Sequence, residues 1–416
     1  MLPLLTAVPF VVLLLAIAIA PLVAPHWWHH NRNKALVALL VSAPIGVYLG
    51  VTAPHLLSEK AHEYVGFIVI IGGLFVISGG IHIQGSLGNT GMLGIGAVLA
   101  NLVGTTGASV LLIRPLLRAN KNRKRVVHIV IFFIFVVANC GGLLTPIGDP
   151  PLLLGFLKGV PFDWTLRLWP QWLAVNGILL LIFHFWDQWA LGKDSPHEQV
   201  LIHEPLRIQG AVEMVVLVGV LATILASGPL LVIVALALVG YFAGSHERRA
   251  RNGFTFGPII EVAVLFAAIF VTMAPMLEIL NAWSQGTRTV LGSGFGITDP
   301  WQFFWATGAL SSVLDNAPTY LAFAASAAGL QGVAPHGAYI GTLALDPTGA
   351  KLLAAISTGA VFMGANTYIG NAPNFMVKAI AEENGVKMPT FFGYMAYSLG
   401  ILLPIFVVIS LVFFRT

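Results

Sequence analysis

The sequence predicts an all-α polytopic membrane protein. It reads as two inverted-topology repeats, each with a re-entrant hairpin and a broken transmembrane helix. Three observations carry this. Only 9% of the 416 residues are charged and 57% are hydrophobic, whereas a soluble domain carries roughly 25% charged residues. The apolar residues come in continuous runs, several reaching the roughly 20 residues that cross a bilayer. A glycine-proline interruption also recurs at half-chain spacing, as "TPIGDPP" at 145–151 and "TYIGNAP" at 367–373.

The apolar runs are 4–24, 35–53, 64–81, 126–144, 168–190, 212–226, 230–243, 258–280, 352–363 and 391–414. A membrane barrel would alternate apolar and polar residues instead. The single cysteine, Cys140, excludes an intramolecular disulfide and reads as a small apolar helix residue. No positive segment precedes the first run and no clear cleavage site follows it, so it reads as a retained helix.

The net charge of +4 is placed in loops. Arg114, Arg118, Lys121, Arg123, Lys124 and Arg125 form one cluster, and Arg248, Arg249 and Arg251 another. Such clusters mark cytoplasmic loops, and nucleic acid is not an expected partner. Four crossings separate the two clusters, an even number, so both lie on one side. The loop with Arg32 and Lys34 is placed inside as well. The runs 35–53 and 63–81 then go out and back. The Gly- and Thr-rich stretch 86–113 must start and finish inside, as a re-entrant hairpin tolerated where protein buries it. From 258 the chain goes out, and 301–329 forms a hairpin entering from outside. The stretch 350–378 returns and 391–414 exits. The hairpins open to opposite sides, as an inverted repeat requires. The expected units are 1–62 (N-terminal helices), 63–200 (first repeat), 201–257 (connecting helices) and 258–416 (second repeat).

The motifs share Thr, Ile, Gly and the final Pro in register, with Asp149 in one where Asn371 stands in the other. Gly adopts backbone angles other residues resist, and Pro cannot continue the preceding helix. A helix broken in mid-membrane exposes carbonyls at one end and N–H groups at the next start. Oxygen-rich side chains beside such a break suit a hard cation such as Na⁺. The alternative is a proline kink with satisfied polar groups.

Asp149 and Asp315 fall in segments read as membrane-embedded. A carboxylate at that depth costs about 2.5–3.5 kcal/mol on insertion scales and requires a cation, a proton or a partner. Burial favours its protonated form and a bound Na⁺ favours the ionised one. One oxygen can thus trade H⁺ for Na⁺, and both acids are expected as exchanging groups and Na⁺ ligands. Asn101, Thr145, Asn316, Thr367 and Asn371 are expected as neutral ligands, with Thr319 among the hairpin's polar residues. The alternatives are a helix N-cap for Asp149 and a cap of the hairpin's second arm for Asp315. Glu213, Glu261, Glu278, His128 and His184 lie near segment ends and read as interfacial, where long side chains snorkel; a deeper position is the alternative for Glu213. "HWWHH" at 26–30 resembles an aromatic belt. No nucleophile–base pair, zinc signature or nucleotide loop appears, so neither an enzyme nor a cofactor is expected.

The paired motifs, with "SSVLDNAPT" in the second half, resemble the ion transporter superfamily. That superfamily includes NhaD-type bacterial sodium/proton antiporters, citrate and dicarboxylate carriers, and arsenite pumps. "CGGLLTPIGDPPLLLGFLKGVPF" is most similar to a bacterial branch carrying both antiporter and citrate transporter labels. The resemblance covers the chain from about residue 60. It implies a bacterial inner-membrane location, two inverted repeats, often a homodimer, and a transport site holding Asp149, Asp315, Asn316, Asn366 and Thr367. Dicarboxylate carriers typically place Ser-Asn-Thr where this chain has its acids. Two acids repel an anion unless sodium neutralises them. The expected function is therefore Na⁺/H⁺ exchange, with lipid and the transported ions as partners. The alternative is Na⁺- or H⁺-coupled citrate or dicarboxylate transport.

Overall fold

The structure, a computed structural model, describes residues 2–85, 87–193 and 207–415. The expected hairpin start at residue 86 and the expected boundary between residues 200 and 201 lie outside the described residues. The chain is 76% helical. Eight helices are long and apolar enough to cross a membrane: Leu4–Val23, Asn31–Thr52, Pro54–Ser78, Asn89–Ala119, Phe162–Leu191, Gly257–Ser284, Pro347–Asn366 and Phe391–Phe413. Outward side chains such as Val51, Leu231 and Phe392 are largely exposed, as acyl chains allow and water does not. This is a multi-pass helical membrane protein. The all-α reading did not anticipate one small ladder: His82–Gln84 pairs antiparallel with Arg207–Gln209.

Asn89–Ala119 is not one rod. Gly104 breaks it with φ 79° and ψ 157°, and the arms 89–103 and 105–119 fold back on one another. Asn89 and Asn120 exchange amide hydrogen bonds of 3.0 and 2.7 Å, although a straight helix of that length would hold its ends about 46 Å apart. Arg114 and Arg118, read from sequence as loop residues, lie in the second arm. A second hairpin joins Pro300–Ser311 to Asn316–Leu330. Its arms also fold back, bringing the Phe303 and Phe323 rings to 6.2 Å.

Two interrupted helices pack between the hairpins. The first comprises Val127–Val136, a 3₁₀ turn at Cys140–Leu143, and Pro150–Leu157. Its opening segment is apolar all round and buried throughout His128–Val136, as such a helix must be in a core. The second comprises Pro347–Met363, a turn at Gly364–Asn366, and Ala372–Glu383. The closing half of each packs against the opposite hairpin: Pro150–Leu157 on Asn316–Leu330, and Ala372–Glu383 on Asn89–Ala119.

Buried charge gathers at the helix ends. At the start of Pro54–Ser78, Lys158 bonds Glu63 and Glu59, Lys60 bonds Glu63, and His336 faces Glu59 and Glu278. At its far end, about 28 Å away by helical rise, Asn252 and Arg248 bond the Gly79 and Gly80 carbonyls. Arg114 donates to the Asn252 carbonyl at 2.7 Å, so the two basic regions meet. One expectation is corrected here. Glu213 is fully buried within the protein, both its oxygens accepting from Arg248 at 2.9 Å. His128 does not snorkel: it is buried, with Nε2 2.9 Å from Asp187. Both pair with a residue distant in sequence, which offsets part of the cost of burial.

Candidate functional site

Each break is tied the same way. In the first, the Thr145 hydroxyl donates to the Asn101 carbonyl at 2.6 Å. In the second, the Thr367 hydroxyl donates to the Ser312 carbonyl at 2.5 Å. Each threonine thus pins a break to the tip of its own hairpin. Each break also crosses its own backbone at a glycine pair, Gly142 with Gly148 and Gly364 with Gly370. A Cβ on Gly142 would sit 2.9 Å from the Gly148 carbonyl oxygen, and one on Gly370 2.6 Å from that of Gly364. Both pairs lie in the register that aligns the two motifs.

The breaks meet at Asp149. It occupies the N-cap position of Pro150–Leu157, yet its side chain makes no capping bond. The carboxylate is 1% exposed. Its Oδ1 accepts from the Thr105 hydroxyl at 2.8 Å and from Asn371 Nδ2 at 3.2 Å. Its Oδ2 accepts from Asn316 Nδ2 at 2.5 Å. Four elements therefore supply one carboxylate: the first hairpin (Thr105), the first break (Asp149), the second hairpin (Asn316) and the second break (Asn371). The lysines buried among glutamates lie elsewhere; Lys158 is about 13 Å further along the half-helix by rise.

The other expected residues lie around this centre. Asp315 caps Asn316–Leu330 by accepting from Ala317 N–H at 3.0 Å, the capping alternative for this residue. Thr319 returns its hydroxyl to the Asp315 carbonyl at 2.9 Å. Asn101 donates to the Ala97 and Gly141 carbonyls and accepts from Leu144 N–H, so it holds the first break. Asn366 donates to the Ser312 hydroxyl at 2.9 Å, while its buried Oδ1 has no partner among the described residues. Those residues include no group of three or more His, Cys, Asp or Glu arranged to hold a metal.

Gly104 sets the distance between hairpin tip and carboxylate. Its φ and ψ are open essentially to glycine alone, at a cost of about 1–3 kcal/mol for another residue. A Cβ there would sit 3.2 Å from the Ile147 carbonyl oxygen. Gly104→Ala should displace Thr105 from Asp149 and lower stability by about 1–3 kcal/mol, read as a fall in the thermal unfolding midpoint in detergent.

A family model described as "Putative citrate transport" matches residues 1–414. The chain belongs to this citrate-transport family. The match begins at the first residue, whereas the resemblance read from the motifs began near residue 60. It backs the citrate alternative over Na⁺/H⁺ exchange, and with the apolar helices it makes the chain a membrane transporter rather than an enzyme. No curated protein matches the chain. In this member of the citrate-transport family, sequence reasoning missed Asn139 and Asn374, each fully buried. Their signal was an amide where the neighbouring residues are apolar or small: "ANCGG" at 138–142 and "NAPNF" at 371–375.

Proposed function

We propose that the chain is a cation-coupled citrate transporter of the bacterial inner membrane, with the coupling Na⁺ or H⁺ held at Asp149. On this reading the hairpins and interrupted helices form two inverted repeats, each hairpin re-entrant. The recurring threonine bond, the paired glycines and the two fold-backs support that symmetry. The observation that carries the function is the bonding of Asp149. A fully buried carboxylate receives neutral donors only, from Thr105, Asn316 and Asn371. Neutral donors orient its charge without cancelling it, and an uncompensated carboxylate in a low-dielectric interior is costly. A cation or proton completes the site.

The partners also suit a change of state. Amide N–H groups of Asn316 and Asn371 only donate at these positions, whereas the Thr105 hydroxyl can turn and accept. A proton on Oδ1 therefore finds an acceptor, and a metal ion finds oxygens at Asp149 and at the Thr105 hydroxyl. Citrate is repelled by Asp149 and Asp315 until that cation arrives, so the cation binds first and transport is coupled. Helices beginning at Pro150, Asn316 and Ala372 point partially positive ends toward this region, which suits carboxylates.

A second reading, Na⁺/H⁺ exchange, is favoured by one observation. No lysine or arginine bonds Asp149 or Asp315 among the described residues, so no fixed base is in place there to grip citrate. Purified protein in proteoliposomes separates the two. The expected result is accumulation of labelled citrate under an inward Na⁺ or H⁺ gradient, lost when the gradient is dissipated. Release of internal protons on sodium addition, with no citrate accumulation, would establish the exchanger instead.

A further inference from the structure

We propose that Asn139 and Asn374 are positioning residues that relay the charge state of Asp149 to the break in the second half of the chain. The inference rests on the reading of Asp149 as the cation site and concerns how that site is coupled to its opposite half. Asn371 Nδ2 carries two N–H groups and faces three acceptors, each at 3.2 Å: Asp149 Oδ1, Asn139 Oδ1 and the Ala138 carbonyl. Two donors cannot satisfy three acceptors. The distribution therefore depends on how strongly Asp149 accepts. An ionised carboxylate draws Asn371 toward itself, since hydrogen bonds to charged groups are the stronger ones. A protonated or cation-bound carboxylate releases Asn371 toward Asn139 and Ala138.

Beyond Asn371 the bonds run in one direction. Asn139 Nδ2 donates to Asn374 Oδ1 at 2.6 Å and to the Ile134 carbonyl at 2.8 Å. Asn374 Nδ2 donates to the carbonyls of Gly364 at 2.9 Å and Thr367 at 2.8 Å. Those two carbonyls bracket the turn that opens the second break, and both amides are fully buried. Successive bonds in such a chain polarise one another. A gain at Asn139 Oδ1 strengthens its donation to Asn374, which tightens the hold on Gly364 and Thr367. The chain lacks a symmetric copy, because Val361 and Leu152 stand where the repeat would place the counterparts of Asn139 and Asn374. The signal therefore runs from the half with the acid to the half with the amide.

Hydrogen exchange read by mass spectrometry on the full-length protein in detergent tests the relay without assaying citrate. Asp149→Asn mimics the neutralised carboxylate. In an otherwise wild-type chain it should change the exchange rate of residues 364–367 at least threefold. In the Asn139→Ala background, or with Asn374→Leu should that protein fold poorly, the same substitution should leave 364–367 unchanged. Exchange at 145–149 should still respond in every background, and this separates loss of the relay from loss of the acid. An equal response at 364–367 with and without Asn139, or no response in the wild-type background, would overturn the proposal. Failure of the citrate assay alone would revise the transported substrate and leave this result standing.

Discussion

Asp149→Asn is expected to abolish gradient-driven citrate accumulation while the protein still inserts in the membrane. A cation about 4 Å from a carboxylate gains about 4 kcal/mol at an effective dielectric of 20. Losing that term weakens cation binding about a thousandfold, at 1.4 kcal/mol per decade. Geometry adds to the loss. Asp149 receives donors on both oxygens, and an asparagine offers only one acceptor. Its amide must point at a donor on one side, and only the Thr105 hydroxyl can turn to accommodate it. Asp149→Glu keeps the charge but displaces it by a methylene, so weakened and still cation-dependent uptake is expected. Initial uptake rates against cation concentration in proteoliposomes distinguish the two variants. Wild-type rates in Asp149→Asn would remove this residue from the mechanism.

Lys158→Met is expected to have the largest effect on stability. Lys158 is buried, bonds Glu63 directly and Glu59 at 3.1 Å, and sits at the end of the half-helix that carries Asp149. Removing one partner of a buried ion pair costs about 3–5 kcal/mol, because the other charge stays buried without compensation. Lys60, 3.1 Å from Glu63, remains to offset part of this, which sets the expectation near 3 kcal/mol. The thermal unfolding midpoint in detergent should fall by roughly 5–10 °C. Adding Glu63→Gln removes the stranded charge and should recover at least half of the loss. A midpoint that falls further in the double variant would show that the loss of Glu63 from Lys60 outweighs the relief of excess negative charge.

Much of this architecture was legible in the residues. Sparse charge and long apolar runs indicate a membrane protein, because only helices and closed barrels satisfy their backbones in lipid. The motif at 145–151 and its copy at 367–373 mark backbone breaks, since glycine and proline act on the chain locally. Asp149 was recognisable because an acid in an apolar run demands a partner. The ends of the first hairpin were harder to place. Its second arm continues through Arg114 and Arg118, Arg114 reaching the Asn252 carbonyl beyond the helix, and a basic residue alone does not reveal whether it ends an element.

The partners of the acids were not legible. Nothing local distinguishes Asp149, whose oxygens are bonded from residues 105, 316 and 371, from Asp315, which turns back to cap its own helix. His128 looked interfacial for the same reason, because its hydrogen-bond partner, Asp187, is 59 positions away. The sequence by itself determined where the chain is helical, where it breaks and that it lives in lipid, because dihedral preference and burial of apolar runs are properties of short segments. Only the tertiary structure decided which hairpin faces which half-helix, and so which donors surround Asp149. That choice is made by packing between segments far apart in the chain, and a buried charge takes its character from whatever packing brings beside it.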